Sequence, residues 1–486
     1  MSDLVTHFIG GLPVAEGETF AGYDPVTGRE VRRVHEADRS VVDRAVSAAR
    51  AALPGWSGLQ AAERAAWMRR LADAIEERFE DLVAAEIADT GKSITQTRTL
   101  DIPRGAANFR SFAEIAAQHP ENAFHLKDVL SYTVRRPLGV VAVIVPWNLP
   151  FLLATWKIGP ALVAGNTVVV KPSEHTPGSM AVLAEIAASI GLPPGVLNVV
   201  NGFGPGSAGQ FLVEHPGVDA VTFTGESRTG SAIMKSVADR VKPVSFELGG
   251  KNAGLVFADA DLDAAVEGAV RSVFTNGGQV CLCTERLYVE RPVFGEFVAR
   301  LAGRARELAF GRPQDEHTTM MPMISAEHRD KVLSYYALAE DEGAEIHAGG
   351  GAPRFGDDRD GGYYVEPTVL TGLPSGSRVN REEIFGPVCH VAPFDAEAEA
   401  VALANESEYG LAATVWTSSL SRAHRVAQSL EAGLIWVNTW YLRDLRTPFG
   451  GVKLSGIGRE GGTRSLDFYS EPTTITIKLE PGRAEI

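Results

Sequence analysis

The chain has 486 residues, 45% of them hydrophobic and 22% charged, the balance of a soluble globular protein with length for about three domains. Such a chain buries a large core without disulfide or metal staples. Its 46 Lys and Arg against 61 Asp and Glu leave a net charge of −15, which argues against nucleic acid or an anionic membrane as the main partner but leaves room for a local basic pocket.

Residues 1–11 lack the basic segment and apolar run of a signal peptide. The first hundred residues read as mainly helical, with apolar residues at helical spacing over 45–52, 61–87 and 103–118. Residues 122–136 are polar with short alternating runs and predict a hairpin or arm. The longest apolar stretch, 138–147, is far short of the roughly 20 residues that span a membrane. From there strands and helices alternate: strand 140–145, helix 151–164, strand 166–170, helix 178–190, strand 196–200, helix 208–214 and strand 219–223. That rhythm with short links predicts a parallel, doubly wound sheet. It restarts near Leu248, with strand 253–257, helix 262–274, strand 286–289 and helix 293–308, then strands 388–393, 412–416 and 434–437 with helices between. The last alternating run, 473–478, can pair with the 122–136 arm, and exposed strands of this kind commonly join subunits. The expected class is therefore α/β: two doubly wound units and a small β arm.

Ligands of doubly wound sheets bind at the carboxyl ends of the strands. The first strand leads into Pro146-Trp147-Asn148-Leu149-Pro150, and the second into Lys171-Pro172-Ser173-Glu174. An acid just past the second strand is where a dinucleotide fold holds a ribose; Glu174 would also repel a 2′-phosphate, favouring NAD over NADP. A solvated strand-end ion pair explains the same residues equally well. The literal G-x-G-x-x-G from Gly204 to Gly209 follows the third strand rather than the first, and by itself marks a tight turn.

The three cysteines, 281, 283 and 389, form no disulfide framework and fit a reducing, cytoplasmic setting. Cys281 follows Gly278-Gln279-Val280, where permissive backbone lets a substrate approach a thiolate, although burial as a small hydrophobe is the commoner fate of cysteine. Cys283 has no partner at zinc-ligand spacing and is assigned to packing, as is Cys389; no metal is expected. Glu247 ends a strand before Gly249-Gly250, and a partly buried carboxylate there can act as a general base.

Together these segments resemble the aldehyde dehydrogenase superfamily. The resemblance rests on seven collinear motifs: Pro146-Trp147-Asn148, Lys171-Pro172-Ser173-Glu174, Phe223-Thr224-Gly225, Glu247-Leu248-Gly249-Gly250-Lys251, Gly278-Gln279-Val280-Cys281, Glu383-Ile384-Phe385-Gly386-Pro387-Val388 and Pro448-Phe449-Gly450-Gly451. It implies that Cys281 is the nucleophile and Glu247 the base. It places the Asn148 amide and the Cys281 backbone N–H in the oxyanion hole. It puts NAD against Trp147, Lys171, Glu174, Gly204, Gly225, Glu383 and Phe385. Glu226 stands where many relatives carry Ser, and should weaken cofactor binding unless it turns away. The implied division is an NAD-binding domain (1–119 and 138–247), a catalytic domain (248–450) and an oligomerisation arm (120–137 and 466–486) in a homodimer or homotetramer. A cofactor-independent cysteine hydrolase using Cys281 and Glu247 is the alternative of a different class, but it would not need Lys171, Glu174 and Glu383.

Within the superfamily, residues 101–104, 223–230, 281–286 and 442–448 resemble the muconic semialdehyde dehydrogenases. These oxidise 2-hydroxymuconate semialdehyde or its 2-amino analogue after ring cleavage of catechols or aminophenols. A 5-carboxymethyl-2-hydroxymuconate semialdehyde fits the Cys-Leu-Cys segment less well. The resemblance sets Arg104 and Arg443 where relatives acting on apolar aldehydes carry Met and Phe, so two guanidinium groups would clamp a substrate carboxylate. Leu149 and Trp156 would form the apolar wall, and Arg446 is a weaker candidate for the clamp.

Overall fold

The computed structural model describes residues 4–479; the ends of the expected first domain (1–3) and arm (480–486) lie outside the described residues. The first large sheet has eight strands. Its parallel part runs Val244–Glu247, Ala220–Thr224, Val140–Ile144, Thr167–Lys171 and Leu197–Val199 across the sheet. In chain order this is 5-4-1-2-3, so the winding reverses between Val140–Ile144 and Ala220–Thr224. A crevice opens at such a switch point, outside the carboxyl ends of the two strands. The central strands are wholly buried, which explains their unbroken apolar sequence.

The second large sheet orders Glu345–Ala348, Thr368–Thr371, Val388–Phe394, Thr284–Glu290, Asn252–Val256, Ala412–Trp416 and Leu434–Val437. All neighbours are parallel except the first pair. A third sheet pairs Ser470–Lys478 antiparallel with Val129–Pro137, which also pairs with Ala123–Leu126. Phe124, Leu126 and Ile477 are exposed on it. Among the described residues no helix is long and apolar enough to cross a membrane.

Two expectations for the first hundred residues need correction. Five strands precede the first helix: Leu4–Val5, Thr19–Tyr23 and Glu30–His35 form a small sheet, while His7–Ile9 and Leu12–Val14 extend the first large sheet beyond Leu197–Val199. The expected helix over 61–87 is two helices, Ala61–Glu77 and Phe79–Thr90. Arg78, at φ −101° and ψ 26°, ends one and starts the next. Apolar residues continue at helical spacing across this break because both helices face the same core.

Candidate active site

The two large sheets meet through four residues. Glu247 ends the strand Val244–Glu247 of the first sheet, and Asn252 begins the strand Asn252–Val256 of the second. The carboxyl ends of the first sheet's strands therefore lead straight to the amino ends of the second sheet's. Trp147, Asn148, Gly225 and Glu226 lie just past strand ends on one side. Cys281 lies just ahead of the strand Thr284–Glu290 on the other.

The thiol loop is pinned from several directions. The Asn252 amide donates to the carbonyls of Cys281 (2.7 Å) and Cys283 (2.8 Å), and its own oxygen accepts from Ala412 N–H at 2.9 Å. Gln279 donates to the Asn276 and Pro322 carbonyls and accepts from Ile324 N–H. The Asn148 amide donates to the Gln279 carbonyl at 2.9 Å, which ties the first sheet's strand end to the thiol loop and leaves the second amide hydrogen free. Cys281 is partly buried, and Cys283 and Cys389 are fully buried. Burial, and then Glu247 and Glu383, push the Cys281 thiol up to about 12, with Arg443 opposing.

Glu247 is buried, and its Oε1 has no hydrogen-bond partner. A Cβ on Gly450 would come within 2.6 Å of that oxygen, so only glycine leaves the carboxylate its space. Burial, and then Glu460, hold the Glu247 carboxyl well above the usual carboxylate range, against the pull of Lys157, Arg443 and Arg459. Lys157 is buried against Glu460 at 2.5 Å and donates to Thr222 at 3.1 Å. The sequence assigns no role to Asn252, Lys157 or Glu460, because their partners lie far away along the chain.

The crevice side also assembles. Lys171 is buried, donates to the Gly202 carbonyl at 2.8 Å and lies 3.6 Å from Glu174, so the chain just after the third strand is tied to this pair. Burial works against the Glu174 anion, yet Lys171 and His175 keep its carboxyl below the usual range. The helix Ser227–Val237 begins at Glu226 with no side-chain cap, which leaves its first N–H groups free for an anion. Glu226 itself is about half exposed and paired with Arg228 at 3.2 Å, so it turns toward solvent. Glu383 accepts from Gly250 N–H at 2.7 Å. Its other carboxylate oxygen would lie 2.2 Å from any Cβ at Gly249. Burial raises it to about 7. Phe385, at φ 63°, sets its ring edge-on to Trp147 at 5.5 Å. His328, another residue the sequence did not single out, ties down the Phe385 carbonyl at 2.8 Å and meets Trp147 at 5.2 Å.

Two cations, Arg104 and Arg443, stand near each other, and Arg443 acts on the thiol. Arg443 is sandwiched between the rings of Phe449 (3.9 Å) and Trp156 (4.4 Å). Its Nε and Nη2 and the Nε of Arg104 are buried without hydrogen-bond partners. Burial, and then the neighbouring Arg104, bring the Arg443 guanidinium down to about 10. Leu149 is buried in the cluster that includes Cys281, and Trp156 is buried beside Arg443. Arg446 falls out of this group: it is exposed and engaged with Asp444 at 2.6 Å.

Residues 14–475 match the model of the aldehyde dehydrogenase family. The chain is 58% identical to a 2-hydroxymuconic semialdehyde dehydrogenase of Pseudomonas sp. (strain CF600), with 98% of this chain and 99% of the relative covered. It is 56% identical to a 2-aminomuconic 6-semialdehyde dehydrogenase of a Pseudomonas species, with 98% of both chains covered. An NAD⁺ complex of a Bacillus cereus aldehyde dehydrogenase superposes with a TM-score of 0.95 at 39% identity, covering 98% of this chain and 97% of that one. With its fold, its strand-end thiol and these full-length relatives in agreement, the chain belongs to the aldehyde dehydrogenase family.

Proposed function

We propose that this protein oxidises 2-hydroxymuconate semialdehyde to 2-hydroxymuconate with NAD, in the degradation of catechols after ring cleavage. The carrying observation is the Arg104–Arg443 pair. Two partly buried guanidinium groups whose buried nitrogens lack partners cost folding free energy, and a substrate carboxylate is the planar acceptor that fits them. The 2-amino analogue differs by one group and fits the same clamp. Over the described residues, the 4–119 and 138–247 segments form the NAD-binding domain, 248–450 the catalytic domain, and 120–137 with 466–479 the arm of a cytoplasmic homodimer or homotetramer. The exposed apolar residues of the arm sheet support that last assignment.

The residues present fit NAD. Lys171 and Glu174 would hold the adenosine ribose, with the Glu174 anion rejecting a 2′-phosphate. Gly204 would leave room beside that ribose. Gly225 and the uncapped helix start would face the pyrophosphate, and Glu226, turned toward Arg228, leaves that path clear. Glu383 would hold the nicotinamide ribose between Phe385 and Trp147. When bound, NAD supplies the hydride acceptor, and the acyl group is then left on Cys281 as a thioester.

The protein's own residues perform the rest. The Cys281 thiol loses its proton to solvent water, and the sulfur bonds to the aldehyde carbon. The carbonyl electron pair moves onto oxygen, where the free Asn148 amide hydrogen and the Cys281 backbone N–H stabilise it. After oxidation, Glu247 takes a proton from water as its oxygen attacks the thioester carbonyl. The carbon–sulfur bond breaks, the acid leaves, and the thiolate is restored.

NADH formation from 2-hydroxymuconate semialdehyde and from a neutral aldehyde of similar length tests this reading. The acidic substrate should win strongly in kcat/KM. Arg443→Ala should cost it about 100-fold, the loss expected for charge-assisted hydrogen bonds to a carboxylate, and should change the neutral aldehyde's kcat/KM by less than about threefold. Equal losses on both would remove the clamp and leave the substrate open.

A further inference from the structure

We propose that Tyr441 contacts the 2-hydroxyl or 2-amino group of the substrate, beside the clamped carboxylate, and so sets specificity at that carbon. This rests on the clamp reading above. Tyr441 follows the strand Leu434–Val437 and holds a left-handed backbone, φ 63°, a conformation that costs a bulky residue free energy and is concentrated at functional sites. Its ring stacks on Trp440, with centroids 5.1 Å apart and planes 29° from parallel. The Trp440 indole N–H in turn donates to the Leu282 carbonyl at 3.1 Å. The aromatic pair is thus anchored to the thiol loop, and Tyr441 packs in the cluster that contains Leu149, Cys281 and Phe449. Phe449 is also the ring beneath Arg443.

Tyr441 therefore shares a cluster with the nucleophile and with the ring beneath Arg443. Among the described residues its hydroxyl makes no hydrogen bond. Arg443, Asp101, Arg104 and Cys281 all act on it electrostatically, and burial outweighs the two arginines, so the phenol stays neutral with its proton held up to about 12.

The chemistry explains why a tyrosine suits this position. An arginine carries five N–H donors and no acceptor. Two arginines serve a carboxylate but cannot accept from a neighbouring O–H or N–H. A neutral phenol does both: it accepts from an enol or amine and donates to an enolate oxygen. In a 2-substituted muconate semialdehyde that group is one carbon from the clamped carboxylate, within reach of a phenol that packs in the cluster of the ring beneath Arg443. One side chain then serves both the hydroxy and the amino substrate.

The test compares wild type and Tyr441→Phe, which keeps the ring stack, on three aldehydes: 2-hydroxymuconate semialdehyde, 6-oxohexa-2,4-dienoate, which lacks only the hydroxyl, and neutral 2,4-hexadienal. Loss of the hydroxyl contact should lower kcat/KM about tenfold on the first and leave the second and third within about twofold. An unchanged or an equal loss on the two acids overturns the proposal and makes Tyr441 a packing residue. The clamp is read separately, from the wild-type preference for 6-oxohexa-2,4-dienoate over 2,4-hexadienal. If that preference is missing while Tyr441→Phe still discriminates by the hydroxyl, the clamp fails and the tyrosine contact stands.

Discussion

Replacing Cys281 by Ala is expected to lower NADH formation by about 10⁴-fold or more, the loss typical of removing a covalent nucleophile, while NAD affinity stays as in wild type. Neither remaining thiol can substitute. Cys283 is buried with its Sγ 3.8 Å from the Thr275 carbonyl, and burial pushes it up even further than Cys281. Cys389 lies inside the strand Val388–Phe394, in the core of the second sheet. Initial rates and NAD titration by protein fluorescence check this together. Retention of a few per cent of the turnover would refute the nucleophile. Loss of NAD affinity would instead mean that the thiol loop had been displaced. The same thiol gives a signed pH effect. Glu247 and Glu383 help to hold its pKa up near 12, so alkylation by iodoacetamide without NAD should accelerate with rising pH well past the range of a free thiol, about 8.5. Glu247→Gln removes one of those negative charges, lowers the Cys281 pKa, and should speed alkylation at a fixed pH near 9.

The parts of this site that stood out in the sequence are those in which one residue's chemistry and its strand-end position coincide, although their roles came from the family resemblance. Glu247 and Cys281 bracket the switch from one sheet to the other, and Lys171–Glu174 closes a strand whose apolar run is unmistakable. Arg104 and Arg443 were legible only through resemblance, because nothing local distinguishes a buried arginine from a surface one; Arg446, three residues from Arg443, has the same side chain and pairs with Asp444 at the surface. Asn252 was not legible either. Its function depends on carbonyls 29 and 31 residues away, and tertiary contacts of that kind leave no local period. The same cause hid the N-terminal strands. Phe8 pairs with Val199, so a three-residue segment is a strand only because the sheet already has an edge for it to extend. The helix break at Arg78 was hidden for the opposite reason: an intact apolar period masked a turn that changes direction without changing the buried face.

Glu247→Ala should leave acylation standing and block release, so that one equivalent of NADH appears in a burst and steady turnover then falls by about 10²- to 10⁴-fold, the range for loss of a general base. Mass spectrometry of the quenched variant should find the acyl group on Cys281. Burial and Glu460 hold the Glu247 carboxyl well above the ordinary range, so it is a stronger base than an exposed glutamate, but it is ionised only above that raised pKa. Wild-type deacylation should therefore fall as pH is lowered through a value well above 4.5, and the fall should vanish in the variant. Glu247→Gln keeps the shape but cannot take the proton, and should accumulate the same thioester. Fast alkylation of Cys281 in that variant together with a stalled acyl-enzyme would separate the two effects of one carboxylate: as an anion it restrains the thiol, and as a base it frees the product. If neither variant accumulates acyl-enzyme while both lose the burst, Glu247 acts before hydride transfer, and the water must be activated by another group.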